Sequence, residues 1–254
     1  MGLLQVAFTA MAERLQLPGI KGDDDRVLVD ATSYPWSAIG RVNRESGGYC
    51  TGTLVGPRHV LTAAHCLWNR RTRRWSRPQS IHFLAGYRRG DYLVHSRAVS
   101  FIISNRYRSD KLGYSGNVTS DWAVLTLQTP VGNSIKPVLV ASRNMLAPAG
   151  SSPYPPLIRA GYSQDKAHML SVHAGCAILG TRNRGMLLVH DCDATRGDSG
   201  APIFVINLGR YWLVGIHVGT AQDQNRTVGL AVPVGSFSTT VRSLQRPVEN
   251  LLGP

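Results

Sequence analysis

Thr62-Ala63-Ala64-His65-Cys66 and Gly197-Asp198-Ser199-Gly200, far apart in the chain, are the segments on which its reading turns. A serine hydroxyl is too weakly acidic to attack a carbonyl unaided, and a histidine can take its proton near neutral pH. The glycines flanking Ser199 allow a sharp backbone turn that aims N–H groups at one point, as a developing oxyanion requires. Between the two segments lies Ser120-Asp121-Trp122-Ala123-Val124-Leu125, an acid followed by an apolar, strand-like run. Such an acid can orient the imidazole.

The chain has 254 residues, 43% of them hydrophobic, enough for one large domain or two small fused ones. Its 26 glycines and 14 prolines, with only 17% charged residues, suit a turn-rich β protein better than a helical one. From Val27 onward short apolar runs alternate with turn residues. Examples are Trp36–Val42, Thr51–Val55, Val60–Ala63, Ile81–Ala85, Val99–Ile103, Trp122–Leu127, Leu157–Gly161, Met186–His190, Pro202–Ile206, Trp212–His217 and Val228–Val232. Helical periodicity appears mainly over Phe237–Leu251, through Val241, Leu244, Val248 and Leu251. The pattern predicts an all-β barrel or sandwich with a terminal helix. The Pro-rich stretch Pro148–Pro156 divides the body and could link two lobes.

The formal net charge of +13 would attract acidic peptides, anionic polysaccharide, nucleic acid or a negatively charged membrane face. Arginine dominates it: only Lys21, Lys111, Lys136 and Lys166 are lysines. Cys50, Cys66, Cys176 and Cys192 form two equally spaced pairs without Cys-x-x-Cys, which argues against a zinc ribbon or thioredoxin-type site. An even count in paired halves fits two local disulfides and an oxidising compartment. No stretch approaches the ~18 apolar residues of a membrane span. Residues 1–26 read as a leader or propeptide. They contain a weakly apolar start, the A-x-A-like Ala10-Met11-Ala12 and a closing Gly22-Asp23-Asp24-Asp25-Arg26.

Taken together, these residues resemble the trypsin-like (chymotrypsin-fold) serine endopeptidases, over nearly the whole chain after Arg26. Tyr34-Pro35-Trp36-Ser37 looks like the first core strand, and Cys50-Thr51-Gly52-Thr53-Leu54 with His59–Cys66 looks like the strands leading to the histidine. The resemblance implies two six-stranded antiparallel β-barrels, about 27–145 and 146–254, with a short C-terminal helix. It also implies a Cys50–Cys66 disulfide, and a Cys176–Cys192 pair in a compact bacterial arrangement. Ser199 would be the nucleophile, His65 the general base and then acid, and Asp121 the acceptor that sets the imidazole tautomer. The N–H groups of Gly197 and Ser199 would form the oxyanion hole. The resemblance further implies activation by cleavage between Arg26 and Val27, the new α-amino group pairing with Asp198.

Substrate choice stays open at this level. Asp193 stands where trypsin-like members place the carboxylate that reads Arg or Lys, and the small walls Gly219 and Gly229 suit a long cation. This basic-residue reading is slightly favoured. Against it, His217, beside Thr220, resembles the pocket histidine of bacterial glutamyl endopeptidases, and Arg196 could stand at the pocket mouth and favour anions. No metal or organic cofactor is expected, because His59, His82, His95, His168, His173 and His190 lack ligand spacing. The expectation is thus a secreted or periplasmic, monomeric endopeptidase. Its partners would be a protein or peptide substrate and a processing protease or inhibitor. The rival is a catalytically silent protein on the same fold, holding anionic glycans or membranes through its arginines. Nucleic-acid binding through Arg70, Arg71, Arg73, Arg74 and Arg77 is a weaker third reading, since basic loops are usually just solvated.

Overall fold

The computed structural model describes residues 17–108, 117–146 and 154–245. The Ala10-Met11-Ala12 site, most of the Pro148–Pro156 stretch, and Val248 and Leu251 lie outside them. Seventeen strands and one short helix make up the regular structure of the described residues. Strands β1 (Val27–Val29), β2 (Ile39–Arg44), β3 (Tyr49–Leu54), β4 (His59–Thr62), β5 (Trp68–Asn69) and β6 (Arg74–Trp75) come first. They are followed by β7 (Ile81–Ala85), β8 (Val94–Ile103), β9 (Ala123–Leu127) and β10 (Leu139–Val140). The second half holds β11 (Leu157–Gly161), β12 (Leu170–Cys176), β13 (Ile178–Arg182) and β14 (Leu187–His190). It ends with β15 (Pro202–Asn207), β16 (Arg210–Asp223), β17 (Arg226–Pro233) and helix α1 (Ser238–Gln245).

The first barrel closes in the order β2-β3-β4-β9-β8-β7. Alternation drives it: β7 buries Ile81, Phe83 and Ala85 and turns His82 and Leu84 outward. The second half forms a nine-stranded sheet, β1-β12-β11-β15-β16-β17-β14-β13, with β10 added in parallel to β16. Two pieces expected in the N-terminal barrel therefore belong to the other half. Val27 pairs with Val172 and Leu139 with Trp212, so the expected division near residue 145 is crossed twice by backbone pairing. Helix α1 crosses back the other way: Arg242 donates to the Ala141 carbonyl at 3.3 Å and Gln245 to the Val55 carbonyl.

Most of the expected apolar runs became strands, with β8 and β16 longer than their apolar centres. β12 and β13 escaped the pattern. In β12, Ser171 and His173 are buried polar residues, and an apolar-alternation reading passes over them. Ser171 Oγ bonds the Gly161 carbonyl at 3.1 Å, and His173 Nδ1 accepts the Asp193 N–H at 3.0 Å, which removes the cost of burying them.

Both disulfides, Cys50–Cys66 and Cys176–Cys192, are formed, each over a sequence separation of 16. The second ties β12 to the approach to Ser199. Replacing Cys176 and Cys192 together by serine is predicted to lower the unfolding free energy by about 3 kcal/mol, read from urea melts. A loss below about 1 kcal/mol would mean that packing alone holds this corner.

Candidate active site

Strand register brings His65 and Asp121 together. Thr62 at the end of β4 pairs with Ala123 at the start of β9, so chain leaving one and chain entering the other meet at the same barrel end. His65 sits in the 3-10 turn Ala64–Leu67, and its N–H donates to Asp121 Oδ1 at 2.9 Å. Its Nδ1 lies 2.6 Å from Asp121 Oδ2. The Asp121 side chain is 2% exposed, while the ring it holds is 21% exposed. With Nδ1–H donating to Asp121, Nε2 carries the free lone pair, the form needed to accept a proton.

Ser199 comes from the other half of the molecule and is held through Thr51 of β3. The Thr51 N–H donates to the Ser199 carbonyl at 2.9 Å, and Thr51 Oγ1 donates to the Gly197 carbonyl at 2.9 Å. Thr51 Oγ1 also accepts the Tyr162 N–H at 3.0 Å, so one hydroxyl ties both halves to the serine turn. Gly197 has φ +93°, and a side chain there would strike the Tyr162 carbonyl. The Arg196 carbonyl accepts the Gln164 N–H at 2.6 Å. A planar trans peptide then turns the Gly197 N–H the opposite way. Among the described residues, neither the Gly197 nor the Ser199 N–H donates to a protein acceptor. Both are available to an oxyanion.

Asp198 occupies a different place from the one expected. It is fully buried, and Arg159 Nη1 lies 2.5 Å from its Oδ1. Ser163 Oγ and the Thr195 N–H donate to its Oδ2 at 2.6 and 2.8 Å. Burial pushes the Asp198 carboxyl up; Arg159, Ser163 and Thr195 oppose that shift. In the uncut chain the cation expected from a new Val27 terminus is thus already supplied by Arg159. Arg26 is also unlike an exposed cleavage site. Its side chain is 0% exposed and held by Asp24 at 2.7 Å and Asp165 at 2.6 Å, while Val27 begins β1.

The specificity residues are rearranged too. Asp193 does not face an open pocket. Its carboxylate is 0% exposed, accepting the Lys21 N–H at 2.7 Å and the Asp25 N–H at 3.1 Å. Burial works against its charge, yet the Lys21 and Asp25 N–H groups hold it below the usual carboxylate range. The space at Gly229 is no slot for a long cation either, because the His190 ring fills it: a Cβ there would strike the imidazole. Gly219 opens on empty space, and Thr220 and Arg196 are exposed.

His217 is flanked by the serine turn. Its carbonyl accepts the Gly200 N–H at 2.7 Å and its N–H donates to the Ala201 carbonyl at 2.8 Å. The tautomers of His190 and His217 follow from one bond. The Cys192 N–H donates to His190 Nδ1 at 3.1 Å, so Nδ1 is unprotonated and the proton sits on Nε2. His190 Nε2–H then donates to His217 Nδ1 at 3.2 Å, which leaves the His217 proton on its own Nε2. Burial keeps both rings neutral, His190 at about 3 and His217 well below its ordinary value. His217 therefore offers an N–H with no protein acceptor among the described residues.

His65 also lies within 4.8 Å of the Cys50 and Cys66 sulfurs, but sulfurs joined in a disulfide do not ligate a metal. Among the described residues no helix is long and apolar enough to cross a membrane. Thr51, Arg159, Lys21 and His190 were missed as functional residues. Only His190 carried a usable signal, its place on a strand two residues before a paired cysteine.

These features define a β-barrel protein with a hydrogen-bonded His65–Asp121 pair on its first barrel and a Ser199 turn tied to that barrel through Thr51. The family model described as Trypsin matches residues 27–241, and the chain belongs to that family. It is 30% identical over 120 residues to glutamyl endopeptidase of Bacillus licheniformis, which is 47% of this chain and 35% of that protein. It is 29% identical over 188 residues to serine protease 23 of Rattus norvegicus, 68% of this chain and 46% of the relative. The chain thus matches between a third and a half of the length of these two relatives. Among solved structures, a Glu endopeptidase in complex with MPD superposes with TM-score 0.71 at 21% identity, covering 89% of this chain and 99% of that one. A thermostable serine protease, AL20, from an extremophilic microorganism gives TM-score 0.62 at 16% identity over 82% and 97% of the two chains. Both likenesses bear on the fold alone.

Proposed function

We propose that this protein is a serine endopeptidase that cuts after acidic residues. The observation that carries the hydrolytic reading is the His65–Asp121 pair, at 2.6 Å, together with a serine turn whose Gly197 and Ser199 N–H groups have no protein acceptor among the described residues. In the reaction, His65 Nε2 takes the Ser199 proton as Oγ attacks the scissile carbonyl. The oxyanion accepts from the Gly197 and Ser199 N–H groups. His65 returns the proton to the leaving amine, and water then releases the acyl group by the same steps. Asp121 keeps the ring in the needed tautomer and balances the imidazolium.

The acidic preference rests on three features. Asp193, the group that would read a cation, is bonded within the protein. His217 presents an N–H donor, which the acceptor oxygen of an acidic side chain can use. The similarity to a glutamyl endopeptidase of Bacillus licheniformis points the same way. Two disulfides fit a secreted or periplasmic site of action.

A cleavage profile on peptides matched except at the residue before the cut tests this. Glu is expected to exceed Arg and Phe by at least about tenfold in kcat/KM. His217→Ala should lower the Glu rate by about 10- to 100-fold, because a buried hydrogen bond to a charged group is lost. A profile led by Arg would return the pocket to Asp193.

A further inference from the structure

The segment Gly19–Arg26 lies outside the family match, which begins at residue 27, yet it is built into the serine side of the site. Gly19, at φ +98°, is packed so closely on the Ala194 carbonyl and Thr220 Cγ2 that no side chain would fit there. The Ala194 N–H donates to the Gly19 carbonyl at 3.1 Å. Asp193 grips the backbone at Lys21 and Asp25, and Arg26 anchors the far end on Asp165. Gly19, Ile20 and Arg26 are buried and Lys21 is half-buried, while Gly22–Asp25 are exposed, so the stretch is anchored at its two ends.

Lys21 is the residue this docking places. Its Nζ donates to the Cys192 carbonyl at 2.6 Å and the Gly19 carbonyl at 3.0 Å, leaving one of its three N–H donors without a protein acceptor among the described residues. Among the described residues no carboxylate lies within 4.0 Å of it. A part-buried ammonium held by two carbonyls, with Asp193, Asp191 and Asp198 acting on it only from beyond ion-pair distance, carries a desolvation cost that an anion at its third donor would offset. Its field reaches both His190 and His217. Those two rings are neutral, and a neutral N–H bonds the side chains of Glu and Gln alike. Charge discrimination has to come from elsewhere.

We infer that Lys21 is a specificity-determining residue: its ammonium, carried into the primary pocket by a retained Gly19–Arg26 strap, reads the carboxylate of an acidic substrate side chain. This rests on the acidic preference proposed above, with His217 supplying the hydrogen bond and Lys21 the charge. It also makes residues 19–26 part of the working enzyme and not a segment removed on activation.

The test compares full-length protein and its Lys21→Met variant on peptides ending in Glu, Gln or Ala before the cut, with active sites counted by a serine-reactive phosphonate. The variant is expected to lose about 10- to 100-fold of the Glu-over-Gln ratio in kcat/KM, the Glu rate falling more than the Gln rate. In the parent that ratio should fall as pH rises through about 8, where burial has brought Lys21 to deprotonate. An unchanged ratio in Lys21→Met overturns the role of Lys21 and leaves the acidic preference standing. A parent that does not prefer Glu over Gln overturns both. Should the variant yield no titratable serine, the parent's own ratio decides: a fall through pH 8 supports the inference, and a flat profile rejects it.

Discussion

Ser199→Ala is expected to abolish peptide hydrolysis, a fall of about a million-fold in kcat. Stability should stay within about 0.5 kcal/mol of the parent. The two halves of this expectation have separate causes. The reaction loses its proposed nucleophile, Ser199 Oγ. The serine turn, however, is held by backbone and by neighbours that alanine leaves intact. Thr51 N–H bonds the residue 199 carbonyl at 2.9 Å, Thr51 Oγ1 bonds the Gly197 carbonyl, and the Gly200 N–H bonds the His217 carbonyl. A companion change, Asp121→Asn, should cost about four orders of magnitude in kcat while keeping the fold. The amide would offer its own N–H to Nδ1 and drive the imidazole proton to Nε2, where it blocks attack. Steady-state rates with active-site titration check both, and Ser199→Ala protein with parental turnover would remove Ser199 from the reaction.

Arg159→Met carries the second large effect, here on stability. Arg159 and Asp198 are both 0% exposed and 2.5 Å apart, so the substitution strands a buried carboxylate beside Ser199. Breaking such a pair from one side costs about 3–5 kcal/mol, against near-neutrality when both partners are replaced. Urea melts should show that loss for Arg159→Met and recover most of it in the Arg159→Met, Asp198→Asn double variant. Activity should fall with the single change, because Asp198 orders the turn through Thr195 and stands between Gly197 and Ser199, the proposed oxyanion-hole donors. A single-variant loss below about 1 kcal/mol would mean that Asp198 is neutral and Arg159 only packs. Protein trimmed to begin at Val27 supplies an informative contrast. If Arg159 already provides the cation, trimming cannot strengthen the turn, and removing Lys21 and Arg26 should weaken the site.

Much of the proposed catalytic centre was legible in the chain because its signals are local. The His65 segment, the Asp121 segment and the Ser199 turn each carry their chemistry within a few consecutive residues. The equally spaced cysteines bracket the same loops. The strands were legible where one face is apolar, as in β7. They were lost in β12, where Ser171 and His173 are buried with polar partners from distant chain.

The specificity pocket was misread for a related reason. Asp193 has the position of a cation reader, but a carboxylate's role depends on what reaches it. The N–H groups of Lys21 and Asp25 come from the other end of the chain. The slot expected at Gly229 is filled by His190 because β14 and β17 pair those two residues directly.

The sequence by itself therefore determined the fold class and the cysteine pairing and supplied the candidate reacting groups, since these rest on short-range pattern and residue chemistry. Only the tertiary structure decided which charge meets which. It paired Asp198 with Arg159, closed Asp193 under the Gly19–Arg26 strap and left Lys21 without a carboxylate partner among the described residues. Coulomb and hydrogen-bond energies depend on distance and burial in space, and neither is written in the order of residues along a chain.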